Sequence, residues 1–550
     1  MATRSVFIIW LICIGVTFHV AQSAVRHRMT ERCRRVWNEV DENNIVAAQA
    51  VCNSRATLHD YFRDRKDLLN YEVESSFGAD IRLTDNEELA NKIIMQAKED
   101  EYRVGFLRPY LFNPARHIFE VLDVIKQSKL FQIIQKMPKG GILHAHDTAL
   151  CSANYVVSLT YRPDLWQRTS SQNNEIEGFL FSREQPKMPN TNQSDSDDDS
   201  QWRLVKDVRD EMGAEKYDEH IRKLFTLFDK NVNPRIQFPD INQVWERFMG
   251  LFMKVESILT YAPVWKEYYK HALKEMQEDG VSYLEFRGTL PKLYDLDGND
   301  YNDEDIMEIY IEALDEFKHE NPSFIGSKFI YAPLKQVSNE TAATYFDVVR
   351  RLHVKFPQFL AGFDLVGQED TAPGLVSFAE HILQLPDDIK FFFHAGETNW
   401  FGSVDENLID AVLLGSHRIG HGYALAKHPK VIDLVKSNDI AVEVNPISNQ
   451  VLKLVDDYRN HPASVFLAQN VPVVISSDDP SFWEVSPLSH DFYMAFLGIA
   501  SRHSDLRTLK KFAINSIQYS SLDDTEKTDA FTKWQIKWDK FIEDLVHNEL

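Results

Sequence analysis

The sequence predicts an α/β fold: a (β/α)8 TIM barrel with an N-terminal helical domain and an insertion after strand 1. Eight short apolar or β-branched runs alternate with amphipathic stretches of helical length, a pattern typical of parallel strands buried on both faces. Polar residues cluster where several of these runs end. A doubly wound sheet usually needs a Gly-rich phosphate turn, and none follows the first run. The barrel is therefore favoured.

Residues 1–23 predict a secretory signal peptide. Arg4 supplies a positive start, Val6 to Val20 an apolar core, and Ala21 to Ser23 small residues for cleavage. The alternative is a membrane anchor, but the apolar run is short for a bilayer and contains Thr17. We expect a secreted, extracellular protein without a membrane span.

Residues 24–136 predict a helical domain. Thr84 and Glu87 have the spacing of a capping box, and Leu122, Ile125 and Leu130 continue a helical pattern. A helical segment ahead of a barrel either covers the barrel's open side or mediates oligomerisation. We expect it to make a homodimer.

The catalytic domain is predicted over residues 137–550, and it contains all eight candidate barrel strands. These are Gly141–His146, Val281–Arg287, Lys328–Ala332, Leu360–Val366, Lys390–His394, Arg418–His421, Ile440–Asn445 and Val471–Ser476. Helices follow the eighth strand, and one carries an apolar stripe of Trp534, Trp538, Phe541 and Leu545 that we interpret as core packing.

Residues 158–225 predict a surface module inserted after strand 1, because regular periodicity is lost there. A flexible loop is expected near 186–200, where Asp195 to Asp199 is strongly acidic. That run is interpreted as a solvated loop rather than an acidic binding motif.

Charge and cysteine content limit the possible partners and the redox chemistry. The formal charge of −23 and the pI near 5.3 disfavour nucleic-acid binding. Without Cys13, an odd set remains: Cys33, Cys52 and Cys151. These could form one disulfide plus a free thiol, or three buried thiols.

Three histidines and one aspartate form a candidate metal site. His144 and His146 alternate on one strand, so both imidazoles face the same side. His394 ends the fifth strand and Asp478 the eighth. Each signal is weak alone, since histidines are often structural and Asp-Asp-Pro is typical of a turn. Together they suit one Zn²⁺, although iron, cobalt or manganese would accept the same ligands.

Three further residues are candidates for proton transfer and orientation. Glu397 follows His394 within reach of the same centre and could carry a proton. His421 ends the sixth strand and could orient or deprotonate a water molecule. Asp479 lies beside Asp478, and adjacent acids are costly unless a cation offsets one of them.

These motifs together resemble the adenosine deaminase family, and in particular its secreted branch, the adenosine deaminase-related growth factors. The resemblance runs from about residue 137 to 480, and its motifs are Met137–Asp147, Gly362–Gly367, His394–Thr398, Arg418–Gly422 and Ser476–Pro480. The N-terminal helices, the signal peptide and the insertion match the secreted branch.

The resemblance implies a zinc-dependent deaminase that converts adenosine, and 2′-deoxyadenosine, to inosine and ammonia. It implies that one Zn²⁺ per subunit is bound by His144, His146, His394 and Asp478. Glu397 would donate a proton to the purine N1, His421 would act on the attacking water, and Asp479 would hydrogen-bond to N7. Gly367 would contact N3, Asp147 would hold the ribose 5′-hydroxyl, and Trp245 would line the substrate pocket.

One departure concerns the insertion. The secreted branch often has a disulfide there, but no cysteine lies between Cys151 and the C-terminus, which leaves any receptor or glycan binding by this module open. Two alternatives remain. The barrel could be the scaffold of a secreted receptor-binding or signalling protein, or the enzyme could be a zinc aminohydrolase acting on AMP. A cytidine-deaminase type of site is disfavoured, because the chain lacks its Pro-Cys-x-x-Cys ligand pair.

Overall fold

The computed structural model describes residues 57–170, 172, 175–187 and 201–549. The chain divides into two compact units, one ending at Ala79 and one from Asp80 onwards. The first unit contains helix α1 (Leu58–Glu74), which begins with a capping box between Thr57 and Asp60. The predicted signal peptide, Cys33 and Cys52 lie outside the described residues.

The second unit begins with the helices α2 (Asp85–Leu107), α3 (Ile118–Ile125) and α4 (Lys129–Lys136). The predicted capping box of Thr84 and Glu87 is confirmed at the start of α2. The Lys98 ammonium, buried on α2, donates to the carbonyl oxygens of Ser501 and Ser504 at 2.9 and 2.7 Å. These helices therefore pack within the same compact unit as the barrel.

The strands of the described residues are β1 (Gly140–Ile142), β2 (Leu165–Thr169), β3 (Ile176–Phe181), β4 (Gln201–Leu204), β5 (Val281–Gly288), β6 (Leu293–Tyr294), β7 (Asp300–Tyr301), β8 (Gly326–Tyr331), β9 (Leu360–Phe363), β10 (His394–Ala395), β11 (Arg418–His421), β12 (Ala441–Val444) and β13 (Val473–Ile475). The remaining helices are α5 (Ala153–Leu159), α6 (Val205–Met212), α7 (Ala214–Arg222), α8 (Pro234–Gln237), α9 (Ile241–Leu259), α10 (Ala262–Glu278), α11 (Asp303–Glu320), α12 (Asn339–Lys355), α13 (Ala379–Ile382), α14 (Asn407–Leu413), α15 (Pro429–Ser437), α16 (Pro446–Val451), α17 (Ala463–Ala468), α18 (Pro480–Trp483), α19 (Ser489–Met494), α20 (Leu506–Gln518) and α21 (Asp524–His547).

Eight parallel strands form the predicted barrel, which is confirmed. They make two four-stranded sheets, ordered β1-β5-β8-β9 and β10-β11-β12-β13, so neighbours in space are neighbours in barrel order. Single parallel bridges join the two sheets at both seams: Phe363 pairs with Phe391, and Ala145 pairs with Asp478. The first and fifth barrel strands, β1 and β10, are shorter than predicted. Beyond β1, the chain pairs with neighbouring strands only through isolated bridges.

The inserted segment contains an antiparallel sheet that loss of periodicity did not predict. Its strand order is β3-β2-β4, and α6 and α7 follow it. The expected flexible loop at 186–200 falls largely on residues 188–200, outside the described part of the chain. Just before the insertion, Cys151 is a buried free thiol, which both alternatives from the sequence allow.

The last helix confirms the predicted apolar stripe, since Trp534, Trp538, Phe541 and Leu545 are all buried along α21. Across the described ranges, no helix is both long enough and apolar enough to cross a bilayer.

Candidate metal centre and active site

Four side chains form a cluster with the chemistry of a metal site. Ligand atoms of His144, His146, His394 and Asp478 all lie within 4.8 Å of one another. Asp478 Oδ1 is 3.3 Å from Nε2 of His144 and 3.1 Å from Nε2 of His146. The bridge between Ala145 and Asp478 closes the barrel at this point. Barrel closure thus brings together residues more than 300 positions apart in the sequence.

Two buried carboxylates orient the histidines of this cluster. His144 Nδ1 lies 2.7 Å from Glu443 Oε2, and His394 Nδ1 lies 2.6 Å from Asp364 Oδ2. A histidine whose Nδ1 donates to a carboxylate keeps Nε2 as the lone-pair atom. Both rings are therefore held in the tautomer that can bind a cation.

Two buried arginines hold those carboxylates in turn. Arg287 donates to Asp364 Oδ2 at 2.8 Å and to Glu443 Oε2 at 2.7 Å. Arg418 donates to Glu443 Oε1 at 2.6 Å and to Glu285 Oε2 at 2.7 Å. All of these side chains are buried inside the barrel. Removing one partner would leave a buried charge unpaired and would lower the free energy of unfolding by about 3–5 kcal/mol.

The protonation states also suit a divalent cation. Burial lowers the pKa of His394 to about 3, so this ring is neutral at physiological pH. Burial alone would raise the pKa of Asp478, but the adjacent imidazoles of His144 and His146 outweigh burial and hold that pKa well below the ordinary value. Asp478 Oδ1 and His144 Nε2 are both buried without a hydrogen-bond partner. An ionised carboxylate beside imidazole nitrogens, with these atoms free of other partners, fits a metal ion.

His421 and Asp478 adopt backbone conformations that non-glycine residues rarely take, with φ of 61° and 60°. Each costs about 1–3 kcal/mol and persists only where the surroundings enforce it. His421 Nδ1 lies 3.1 Å from Asn449 Nδ2 and 3.5 Å from Glu397 Oε1. The strained turns therefore place both side chains at the centre of the site.

Glu397 is placed as a proton carrier would be. Burial, with the nearby charges of Asp478 and Glu369, raises its pKa well above the ordinary value. Its Oε1 meets no hydrogen-bond partner, while Glu369 accepts from the backbone N–H of Gly396 and Glu397 at 2.8 and 2.7 Å. The turn is thus fixed and the Glu397 carboxyl is held in its protonated form.

Asp479 lies beside the cluster with both carboxyl oxygens buried and unpartnered. Burial and the charge of Asp478 raise its pKa well above the ordinary value. A neutral carboxyl here can donate a hydrogen bond to an acceptor atom of a ligand.

A cavity of about 380 Å³ opens onto the cluster. It brings together every residue singled out from the sequence except His144, whose ring lies behind the others: His146, Asp147, Trp245, Gly367, His394, Glu397, His421, Asp478 and Asp479. Asp147 accepts from the Tyr310 hydroxyl at 3.2 Å. Burial and the charge of Glu256 raise the pKa of Asp147 to about 7.

Close backbone approach is needed at two points of this cavity. A Cβ at Gly288 would overlap the Asp147 carboxylate, and one at Gly367 would overlap the Gln336 side chain. Gly367 also has a φ of 120°, which favours glycine.

The sequence alone did not identify Asp364 and Glu443, which lie behind the candidate metal ligands, or Glu256, which lines the cavity. Asp364 belongs to the Gly362–Gly367 motif but was given no role, and Glu443 was treated only as part of a strand. The available signal was a charged residue within an apolar, doubly buried strand, which needs a buried partner. Glu256 was not singled out, although it ends an apolar helical stripe.

Two family models match the chain. The adenosine deaminase model matches residues 214–534, more than half of the chain, and the adenosine/AMP deaminase N-terminal model matches residues 43–134. The first strand and the inserted sheet lie between the two matched ranges.

Relatives extend the similarity across most of the chain. It is 54% identical to an adenosine deaminase of Phlebotomus duboscqi, over 86% of this chain and 90% of the relative. It is 55% identical to an adenosine deaminase of Lutzomyia longipalpis, over 88% and 93%. Adenosine deaminase 2 of Homo sapiens is 38% identical over 88% of this chain and 93% of the human protein.

Solved structures share the barrel fold at lower sequence identity. An amidohydrolase from Burkhoderia ambifaria, described with bound Zn, has a TM-score of 0.53 at 17% identity and covers 76% of this chain and 95% of its own. An Arabidopsis N6-mAMP deaminase has a TM-score of 0.52 at 16% identity, covering 74% and 99%. Together with the family matches and the relatives, this fold shows that the chain belongs to the adenosine deaminase family.

Proposed function

We propose that this protein is a zinc-dependent adenosine deaminase that hydrolyses adenosine, and 2′-deoxyadenosine, to inosine and ammonia. The observation that carries the proposal is the grouping of three imidazoles and one carboxylate within 4.8 Å of one another, beside a cavity that the Glu397 carboxyl also lines. The names of relatives at 38–55% identity support the substrate.

Zinc is the proposed metal, one per subunit, held by His144, His146, His394 and Asp478. Three imidazole nitrogens with one carboxylate oxygen are ligands that zinc takes in catalytic sites. Bound there, zinc would lower the pKa of a water molecule and make it a nucleophile at neutral pH.

The protein's own groups would then move the protons and hold the base. Glu397 donates its proton to N1 of the purine as C6 is attacked, which removes the negative charge that would otherwise develop on the ring. His421, neutral because burial lowers its pKa, accepts the proton of the attacking water. Asp479 donates a hydrogen bond to N7 and aligns the ring.

Three residues are proposed to hold the rest of the nucleoside. The backbone N–H of Gly367 meets N3, and the Trp245 side chain covers the ligand. Asp147 accepts a hydrogen bond from the ribose 5′-hydroxyl. A carboxyl group at this position repels a phosphate, so adenosine is preferred to AMP.

The proposed setting is extracellular. The signal-peptide pattern of residues 1–23 supports export, and N-terminal sequencing of the protein recovered from culture medium would test it. A secreted deaminase depletes extracellular adenosine, and growth-factor behaviour would follow from that depletion or from a cell-surface receptor.

A homodimer is proposed through the N-terminal region. Helix α1 exposes several large apolar side chains, among them Leu58, Phe62, Leu68 and Tyr71, each at 59% or more. Exposed apolar side chains concentrated on one helix are typical of a protein–protein contact. A second copy of the chain is the proposed occupant.

Product analysis tests the proposed reaction. Incubation of the purified mature protein with adenosine should give inosine and ammonia in equal amounts, and AMP should react much more slowly. Conversion of AMP in preference to adenosine would contradict the substrate assignment.

A further inference from the structure

One face of helix α9 forms a wall of the candidate active-site cavity. The lining residues of this helix are Trp245, Phe248, Met249, Phe252, Met253 and Glu256. Their spacing of three and four residues puts them on a single stripe. The first five are apolar and the last is a carboxylate, so the stripe changes from apolar to polar at its C-terminal end.

Among the residues that the structure describes, none pairs with the Glu256 carboxylate. Its side chain is half-buried, and burial raises its pKa. Within the described ranges, no donor forms a hydrogen bond or an ion pair with this carboxylate. A partly buried carboxylate without a protein donor is available to a donor from water or from a ligand in the cavity.

The position of Glu256 places it beside the sugar end of the cavity. Phe252 lies against the metal cluster, with its ring 6.2 Å from the His146 ring. Glu256 is one helical turn further on, about 6 Å along the axis. Asp147 lines the same cavity as Glu256. Asp147 and Glu256 therefore form a pair of carboxyl groups on the wall of one cavity.

We propose that Glu256 is a specificity-determining residue, which together with Asp147 selects neutral nucleosides over nucleotides. Its carboxylate accepts a hydrogen bond from a sugar hydroxyl, which is a donor. A 5′-phosphate is largely dianionic at neutral pH and adds like charge to a site that already holds two carboxyl groups. The inference rests on the proposed adenosine deaminase activity and assigns to Glu256 a role that Asp147 alone would not fill.

Steady-state kinetics on adenosine and AMP test this role with the full-length mature protein. Glu256→Gln keeps the shape of the side chain and removes its charge. We expect KM for adenosine to rise about tenfold, because the amide oxygen accepts a neutral hydrogen bond in place of the stronger charge-assisted one, with kcat within about twofold, as for binding shared by ground and transition states. The preference for adenosine over AMP in kcat/KM should fall at least about tenfold.

The matched control is Glu246→Gln, which makes the same charge change at an exposed position of the same helix. It should leave both KM and the adenosine preference unchanged. Glu256→Asp keeps the charge but shortens the reach, so it should weaken adenosine binding while retaining discrimination against AMP. This variant decides the question should the glutamine variant fold poorly.

The outcomes distinguish a failure of the role proposed for Glu256 from a failure of the proposed deaminase activity. An unchanged KM and an unchanged preference in folded Glu256→Gln would overturn the role of Glu256 while leaving the deaminase assignment intact. Loss of AMP discrimination in Glu256→Asp would also overturn it. No conversion of adenosine by the wild type and by Glu246→Gln would overturn the proposed function and this inference with it.

Discussion

The Nδ1 atom of His394 lies 2.6 Å from Oδ2 of Asp364, and the same oxygen accepts from Arg287 Nε at 2.8 Å. One buried carboxylate thus links a proposed zinc ligand to a charge network inside the barrel. The network holds the pKa of Asp364 well below its ordinary value, because His394 and Arg287 outweigh the effect of burial. Asp364 is therefore ionised and holds His394 with Nε2 free.

Asp364→Asn is expected to weaken zinc binding about 10–100-fold, because the ring of His394 loses the anion that fixes its tautomer and raises its basicity. Chelator competition with the purified protein measures this affinity. Asp388→Asn is the matched control, since Asp388 pairs with His353 at 3.0 Å on the surface and its loss should leave zinc affinity unchanged. Equal zinc affinity in the two variants would contradict the account.

Glu397→Gln should lower kcat by about 10²–10⁴-fold while zinc content and fold are retained, since glutamine cannot deliver a proton to N1. Single-turnover kinetics with adenosine and metal analysis of the same sample measure both properties. A near-normal rate in the zinc-loaded variant would remove Glu397 from the mechanism.

Deletion of residues 24–79 should convert the proposed dimer to a monomer, because it removes the exposed apolar side chains of α1. Sedimentation velocity of the full-length and truncated proteins at matched concentration gives the result. Phe62→Ser with Leu68→Ser in the full chain serves as a milder version of the same test. A dimer that survives both changes would place the interface elsewhere.

The barrel and its candidate metal ligands could be predicted from sequence because each depends on short-range pattern. Alternating strands and helices indicate the parallel barrel, and His144 and His146 share a face by their spacing alone. The fold class and the family resemblance are confirmed. Strand ends were predicted less well, since β1 and β10 continue only through isolated bridges that depend on neighbouring strands.

Other features depend on long-range pairing that periodicity does not report. The inserted sheet joins β2 to β4 across more than thirty residues, and each of its strands is short. The partnership of Glu443 with His144 joins residues 299 positions apart. A charged residue in an apolar strand indicates that a buried partner exists, but only the barrel geometry identifies it. Glu256 was overlooked for a similar reason, because its significance depends on the cavity beside it.

The most direct test of the central claim is the loss of ultraviolet absorbance on adenosine, followed before and after chelation of zinc from the purified mature protein. Rapid conversion to inosine is expected, with its loss on chelation and its recovery when zinc is restored. Folded, zinc-loaded protein that converts neither adenosine nor 2′-deoxyadenosine would contradict the deaminase assignment and favour a secreted binding protein built on the same barrel.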